Sequence, residues 1–249
     1  MLDEQVGVPA ALTSHAPVVT GAIWATDAPS RVCSLGLQRA AAVWVSSAAQ
    51  LGALDSIGVR RVAHVPMGVD EVFFKRTESE RTGSILTVGN DRHRDHDTLV
   101  RAMAALGDEN AELTVISRLQ PPSHPRVNHI PHVPHTRLRD HYRKAEIVAV
   151  AVRPNLHVSG ITATLEAMAS GRPVVVSDTP GMRDYVDDGV TGLLVPPGDA
   201  TAMSAAVQSL LRNPQRATEM AEASRRQLEE KFTSRHQALG VAELIKSLA

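Results

Sequence analysis

The sequence predicts an α/β fold built on a parallel sheet, and three features predict it. Short β-rich runs alternate with segments of helical periodicity. Residues 147–152 form an apolar run with no polar alternation, as a strand covered on both faces requires. Turn formers bracket such runs, so that residues 173–177 stand between Gly171 and Pro180. With 249 residues, 43% of them hydrophobic and 21% charged, the chain has material for a sizeable core.

In chain order, strands are expected at residues 10–13, 18–23, 43–46 and 62–65, too few units for a complete nucleotide-fold domain. Residues 68–83 are charged and turn-rich and read as a linker. Beyond them, a strand at 84–88 precedes a helix at 98–106 whose Leu99, Ala102, Met103 and Leu106 share one face. Strands at 112–117 and 127–130, a helix at 136–145, the strand at 147–152, a helix at 162–170 and the strand at 173–177 continue the alternation. After Asp199 the pattern is helical, with breaks at Asn213-Pro214 and near Phe232-Thr233.

Composition narrows the functional classes. Lys and Arg number 26 against 27 Asp and Glu, so no general electrostatic attraction to nucleic acid or an anionic membrane is expected. One cysteine, Cys33, excludes an internal disulfide framework and a Cys-rich zinc site. No apolar run approaches the roughly 20 residues of a spanning helix, and Met1-Leu2-Asp3-Glu4 lacks the basic start of a secretory leader. No transmembrane segment and a cytoplasmic location are therefore expected.

The most informative stretch is residues 155–177, where a strand ends, a Ser-Gly turn follows and a helix begins. Unpaired backbone N–H groups of Ser159, Gly160, Ile161 and Thr162 suit a diphosphate, glycine permitting close approach. A plain serine helix cap is the alternative. Glu166 follows among Leu165, Ala167, Met168 and Ala169, where a carboxylate is costly unless hydrogen-bonded. A ribose diol offers two donors; a surface position at the edge of an apolar helix is the other reading. The loop of residues 88–97 carries Arg92 and Arg94, whose guanidinium groups can chelate phosphate oxygens. Asp95-His96-Asp97, with His93 nearby, matches a D-x-D metal motif, but Asp97 before an apolar helix reads as a cap. His124, His129, His132 and His135 have no helical metal-binding spacing and are expected as loop residues near a bound nucleotide.

Residues 165–177, read as LEAMASGRPVVVS, resemble the donor-site signature of glycosyltransferase family 4, the glycosyl transferases group 1. The likeness continues through residues 179–199 and includes residues 45–47 and 65–70, covering roughly 40–230. It implies a retaining GT-B fold. The implied organisation is a partial N-terminal acceptor-side segment and linker over 1–78, a Rossmann-like nucleotide-sugar-binding domain over 79–232, and a C-terminal helix over 233–249. Glu166 takes the family's ribose-binding position. The family's other glutamate falls on Val158, a departure that bears on the sugar contact. Gly89 and Asn90 stand where the family has Gly-Arg, Arg94 stands for its phosphate-facing lysine, and Arg92 is placed to replace the missing arginine. Val133 falls in the loop beside the base, and His15 aligns with a histidine that ends a strand and faces the transferred sugar, which makes it the expected catalytic residue.

The implied activity is transfer of a hexosyl group from a nucleoside-diphosphate sugar to an acceptor hydroxyl with retention, using neither metal nor cofactor. Because the N-terminal part is short, the rival reading is a donor-nucleotide-binding subunit or fragment that is inactive until a second copy or an acceptor-domain partner joins it. A dehydrogenase of similar architecture is disfavoured by the absence of a G-x-G-x-x-G turn.

Overall fold

The computed structural model describes residues 3–25, 29–77, 82–107 and 110–248. The first unit runs α1 (Glu4–Thr13), β1 (Val19–Gly21), α2 (Arg31–Arg39), β2 (Ala42–Val45), α3 (Leu51–Ser56) and β3 (Val62–His64). Its strands form a parallel sheet in the order β1-β2-β3. The strand expected at residues 10–13 is instead the end of α1. Val8 and Leu12 lie at helical spacing and pack in one cluster with Leu37 of α2, while Asp3 caps the helix by accepting from the Gln5 N–H.

The second unit carries six parallel strands: β4 (Ser84–Val88), β5 (Glu112–Ile116), β6 (Val127–Ile130), β7 (Ile147–Val150), β8 (Val174–Ser177) and β9 (Leu193–Val195). Between and after them come α4 (His96–Ala105), α5 (His135–Lys144), α6 (Ile161–Ala169), α7 (Ala200–Arg212) and α8 (Pro214–Lys231). Alternate strand residues feed two apolar layers. Leu86, Val148, Val150, Val174 and Val176 meet α5 and α6, whereas Ile85, Ile147, Ala149 and Val175 meet α4 and α7. Strand order is β6-β5-β4-β7-β8-β9, so connections run outward in opposite directions from the β4–β7 pair. Ligands of such sheets bind beyond the carboxyl ends of the strands at that reversal.

A last helix, α9 (Ser234–Lys246), crosses back to the first sheet, where Val241 and Leu244 pack with Ala42, Trp44 and Val65. Both crossings between the units run side by side, the Val69 N–H donating to the Phe232 carbonyl at 3.0 Å and the Ser234 N–H to the Val69 carbonyl at 2.9 Å. Side chains tie the same seam. The Ser47 hydroxyl and the Ala48 N–H both donate to Asp184 Oδ2 at 2.9 Å, and the Tyr185 hydroxyl accepts from the Met67 N–H while donating to the Ser46 carbonyl. Among the described residues no helix is long and apolar enough to cross a membrane.

Candidate functional site

Two loops leave the sheet at the reversal, one after β4 and one after β7. They are zipped together: the Asp95 N–H donates to the Ala151 carbonyl at 3.0 Å, the Arg153 N–H to the His93 carbonyl at 2.8 Å, and Arg94 bridges Val152. Arg94 is the centre of this arrangement. It is buried, and its Nη2 donates to the Val88 carbonyl at the end of β4, while Nε and Nη1 have no partner among the described residues. Gly89 (φ +146°) and Gly160 (φ +92°) hold turns on either side of it. A Cβ at Gly160 would stand 3.0 Å from Arg94 Nη1 and 2.5 Å from Val150 Cγ1, and one at Gly89 would overlap the guanidinium. A buried cation with two unused donor directions is costly unless an anion completes it.

The turn before α6 supplies fewer free donors than its sequence suggests. Asn155 Oδ1 accepts from the Ser159 N–H at 2.8 Å, and the Val158 carbonyl from the Ile161 N–H at 3.0 Å. Of the four expected groups, the N–H groups of Gly160 and Thr162 are left without a protein partner among the described residues. Gly160 itself is the N-cap and has no side chain to satisfy them. The Ser159 hydroxyl is buried near the Asp91 carboxylate, which it helps to hold in the charged form.

Glu166 lies further along α6 and is 7% exposed. Its Oε2 accepts from the Tyr142 hydroxyl of α5 at 2.8 Å, so it has a core partner that a purely ligand-facing role did not anticipate. Oε1 accepts no hydrogen bond from the described residues. Burial pushes the carboxyl up to about 7 against the opposing pull of the Tyr142 bond and the Arg94 charge. Burial likewise raises the Tyr142 phenol well above its usual value, with Glu166 adding to the effect.

The remaining expected residues scatter. Arg92 is exposed on the same loop. Asn90 Oδ1 accepts from the Arg118 N–H at 2.6 Å and so fastens the segment after β5. Val133 is partly buried and packs on the core near the start of α5. His15 does not end a strand: it is exposed in the connection from α1 to β1, where the first sheet's strands begin, whereas the cleft faces their carboxyl ends. The capping residue of α4 is Asp95, not Asp97, since Asp95 accepts from the Thr98 N–H at 3.1 Å and from its hydroxyl at 2.7 Å.

Three residues that the sequence reading passed over enter the site. Asp91 Oδ2 accepts from His157 Nε2 at 2.6 Å, and Oδ1 from the His93 N–H at 2.8 Å. Burial alone would raise the Asp91 carboxyl, but the bonds from His157 and the His93 N–H outweigh it and hold the group well below the usual range. Trp24, from the first unit, lays its indole 4.7 Å from the His157 ring. Asp91, His93 and His157 offer ligand atoms within 4.8 Å of one another, a set of types that can hold a divalent cation. The 2.6 Å separation of Asp91 and His157 is that of a charge-assisted hydrogen bond. Val158, where the resemblance places a carboxylate, is fully buried at φ +52°, its side chain in the core. Spacing could not reveal these groups, because Asp91 and His157 meet only through the β4–β7 pairing.

The family model described as glycosyl transferases group 1 matches residues 82–213. Among curated proteins, the chain is similar to D-inositol 3-phosphate glycosyltransferase of Kineococcus radiotolerans, 42% identical over 39% of this chain and 23% of that protein. It is also similar to glycogen synthase of Mycobacterium tuberculosis, 33% identical over 45% of this chain and 27% of that protein. The matched stretches thus span about a quarter of those relatives' length. Among solved structures, HepE of Anabaena in complex with UDP and glucose superposes with a TM-score of 0.83 at 16% identity, covering 98% of this chain and 75% of that one. The C-terminal domain of a glycosyl transferase group 1 protein from Francisella tularensis gives 0.56 at 16% identity, over 67% of this chain and all of that domain. These likenesses show a GT-B-type fold.

Proposed function

The chain belongs to the glycosyl transferases group 1 family, and on that premise we propose that it binds a nucleoside-diphosphate sugar at the β4–β7 reversal and transfers a hexosyl group to an acceptor hydroxyl with retention. The observation that carries this reading is Arg94, buried between two glycine turns with Nε and Nη1 unpartnered among the described residues. A diphosphate supplies the negative charge and the acceptor oxygens that these donors need, and the Gly160 and Thr162 N–H groups add to the site from the start of α6. Glu166 Oε1 is available to a ribose hydroxyl, Arg92 to outer phosphate oxygens, and Val133 to the base.

Chemistry follows from that placement. The anomeric C–O bond to phosphate breaks as the acceptor oxygen bonds to the same carbon from the same face, and the departing diphosphate takes the acceptor's proton. Negative charge builds on the leaving group, where Arg94 and the helix N-terminus stabilise it without a metal. UDP and glucose bound in the similar HepE structure support the ligand class. A thermal-shift screen over nucleoside diphosphates tests it: at least one should stabilise the protein, and Arg94→Met should abolish the shift. Absence of any shift with the wild type would reject the donor site.

A second reading, a donor-binding unit completed by a second copy or another chain, is favoured by the first unit's three-stranded sheet and its exposed Val6, Val32 and Leu35. Sedimentation velocity beside turnover decides it, since efficient transfer by a monomer would sink that reading.

A further inference from the structure

At the amino ends of β7 and β8, the opposite ends of the strands from the cleft, a cavity of about 350 Å³ opens between the turn of residues 171–173 and the first turns of α8. Arg172 lines it and is only 1% exposed. Its Nε donates to the Ser170 carbonyl at 3.2 Å, and its Nη2 to the Thr77 carbonyl and to the Thr77 hydroxyl at 2.8 Å. All of these acceptors are neutral. Among the described residues no carboxylate pairs with Arg172, and its Nη1 has no hydrogen-bond partner. A buried charge without a counter-ion is costly.

The rest of the lining adds positive charge. The stem of Arg76 lies over the turn, where a Cβ on Gly171 would stand 2.7 Å from Arg76 Cγ. Burial first, then the Arg76 charge, lowers the Arg172 guanidinium to about 10. Arg76 has a partner in Glu222 at 2.9 Å, but both side chains are well exposed and solvent screens the pair. Pro214 and Thr218 bring in the amino end of α8, with its positive partial charge. Glu146 is the one carboxylate in the lining, and its Oε2 accepts from the Gly83 N–H at 2.9 Å.

We propose that this cavity is a second anion site, apart from the donor cleft, and that it takes a phosphate monoester of a small polar molecule. A phosphate supplies the counter-charge that Arg172 lacks and lets two opposed guanidinium groups share one anion, in the field of the α8 amino end. Inorganic phosphate alone leaves most of a cavity of this size empty. Thr77, Thr218 and Glu146 offer hydrogen-bonding groups to the polar body that fills the remainder. The bound ligand joins Arg76 and Thr77, on the crossing from the first unit, to the turn that follows α6.

The test is calorimetric titration of wild type, Arg94→Met, Arg76→Gln and Arg172→Gln with inorganic phosphate, glucose 6-phosphate and glucose. Glucose 6-phosphate should bind wild type and Arg94→Met alike and more tightly than inorganic phosphate does, while glucose alone should give no heat. Arg76→Gln should lose about tenfold in affinity for glucose 6-phosphate, the size of one lost charge-assisted hydrogen bond, and Arg172→Gln more. Arg172 also fastens Thr77, so the exposed Arg76 keeps the result readable if Arg172→Gln fails to fold. Loss of binding in Arg94→Met would place the phosphate in the donor cleft and overturn the proposal. Equal affinity in wild type and Arg76→Gln, equal affinity for the two phosphates, or no binding of either would overturn it too. Titrating nucleoside diphosphate into the same proteins judges the donor-site reading separately, because that reading depends on Arg94 and not on Arg76.

Discussion

Glu166 is the residue whose environment conflicts most with its chemistry. Its carboxyl sits at about 7 rather than the usual 4.5, so the folded state holds a proton that the unfolded chain has released. The resulting stability is fully present below pH 4.5, is lost as pH rises through about 7, and amounts to at most about 3 kcal/mol. His96 acts oppositely: burial first, then the Arg94 charge, lowers it to about 4, so its contribution is lost as pH falls from 6.5 towards 4. Comparing Glu166→Gln with the wild type separates the two. The variant should melt higher than the wild type at pH 8 and about equally at pH 4.5, while binding nucleoside diphosphate more weakly; a melting difference that does not change with pH would contradict the assignment. At Arg94, substitution by Lys keeps the charge but cannot reach past both glycine turns, so affinity for the diphosphate should fall about tenfold or more with nucleoside affinity unchanged. High salt should narrow the gap, as titrations at two ionic strengths would show. Glu166 was legible because a carboxylate amid apolar helical residues needs a reason. Tyr142 was not, since nothing local announces a hydrogen bond between α5 and α6.

At the scale of elements, the loop into α6 is where backbone and chemistry are least separable. Gly160 stands at φ +92°, and a side chain there meets both Val150 and Arg94. Gly160→Ala should therefore cost about 1–3 kcal/mol in denaturant unfolding and also weaken diphosphate binding, since any relief moves Arg94 out of line. Stability lost with binding intact would mean that the turn only closes the helix. From residue 84 onward the elements follow the sequence reading within a few residues, because strands such as β7 are continuous apolar runs and helices such as α4 show one apolar face. The helix breaks at Asn213-Pro214 and Phe232-Thr233 fall where expected, α8 beginning at Pro214 and α9 at Ser234. The miss at α1 has a plain cause. Residues 10–13 alone look like a short strand, and the i, i+4 pair Val8 and Leu12 betrays the helical repeat. Likewise, N–H groups at the α6 turn could be counted from sequence, but their capture by Asn155 and Val158 depends on the loop's path.

For the whole molecule, α9 joins distant parts of the chain. Leu244 closes a small apolar cluster with Ala42, Trp44 and Val65, so Leu244→Ala should cost about 2–5 kcal/mol. Hydrogen exchange should accelerate in β1–β3 more than in β4–β8; uniform acceleration would show that the two units unfold as one. The same contact also has a bearing in time. Translation makes β2 well before α9, and among the described residues it is that later helix which packs over Ala42 and Trp44 of β2. The six-stranded sheet has every strand it needs before α9 exists, and it can close while the three-stranded sheet still has Trp44 and Val65 uncovered. Strands β1–β3, made ahead of the six-stranded sheet, are thus finished after it, their native burial waiting on the return of residues 234–246. During that interval a chaperone would meet the nascent protein at β1–β3 rather than at the sheet that carries the cleft, and stalling synthesis ahead of residue 234 should leave those three strands open to protease while the cleft sheet resists.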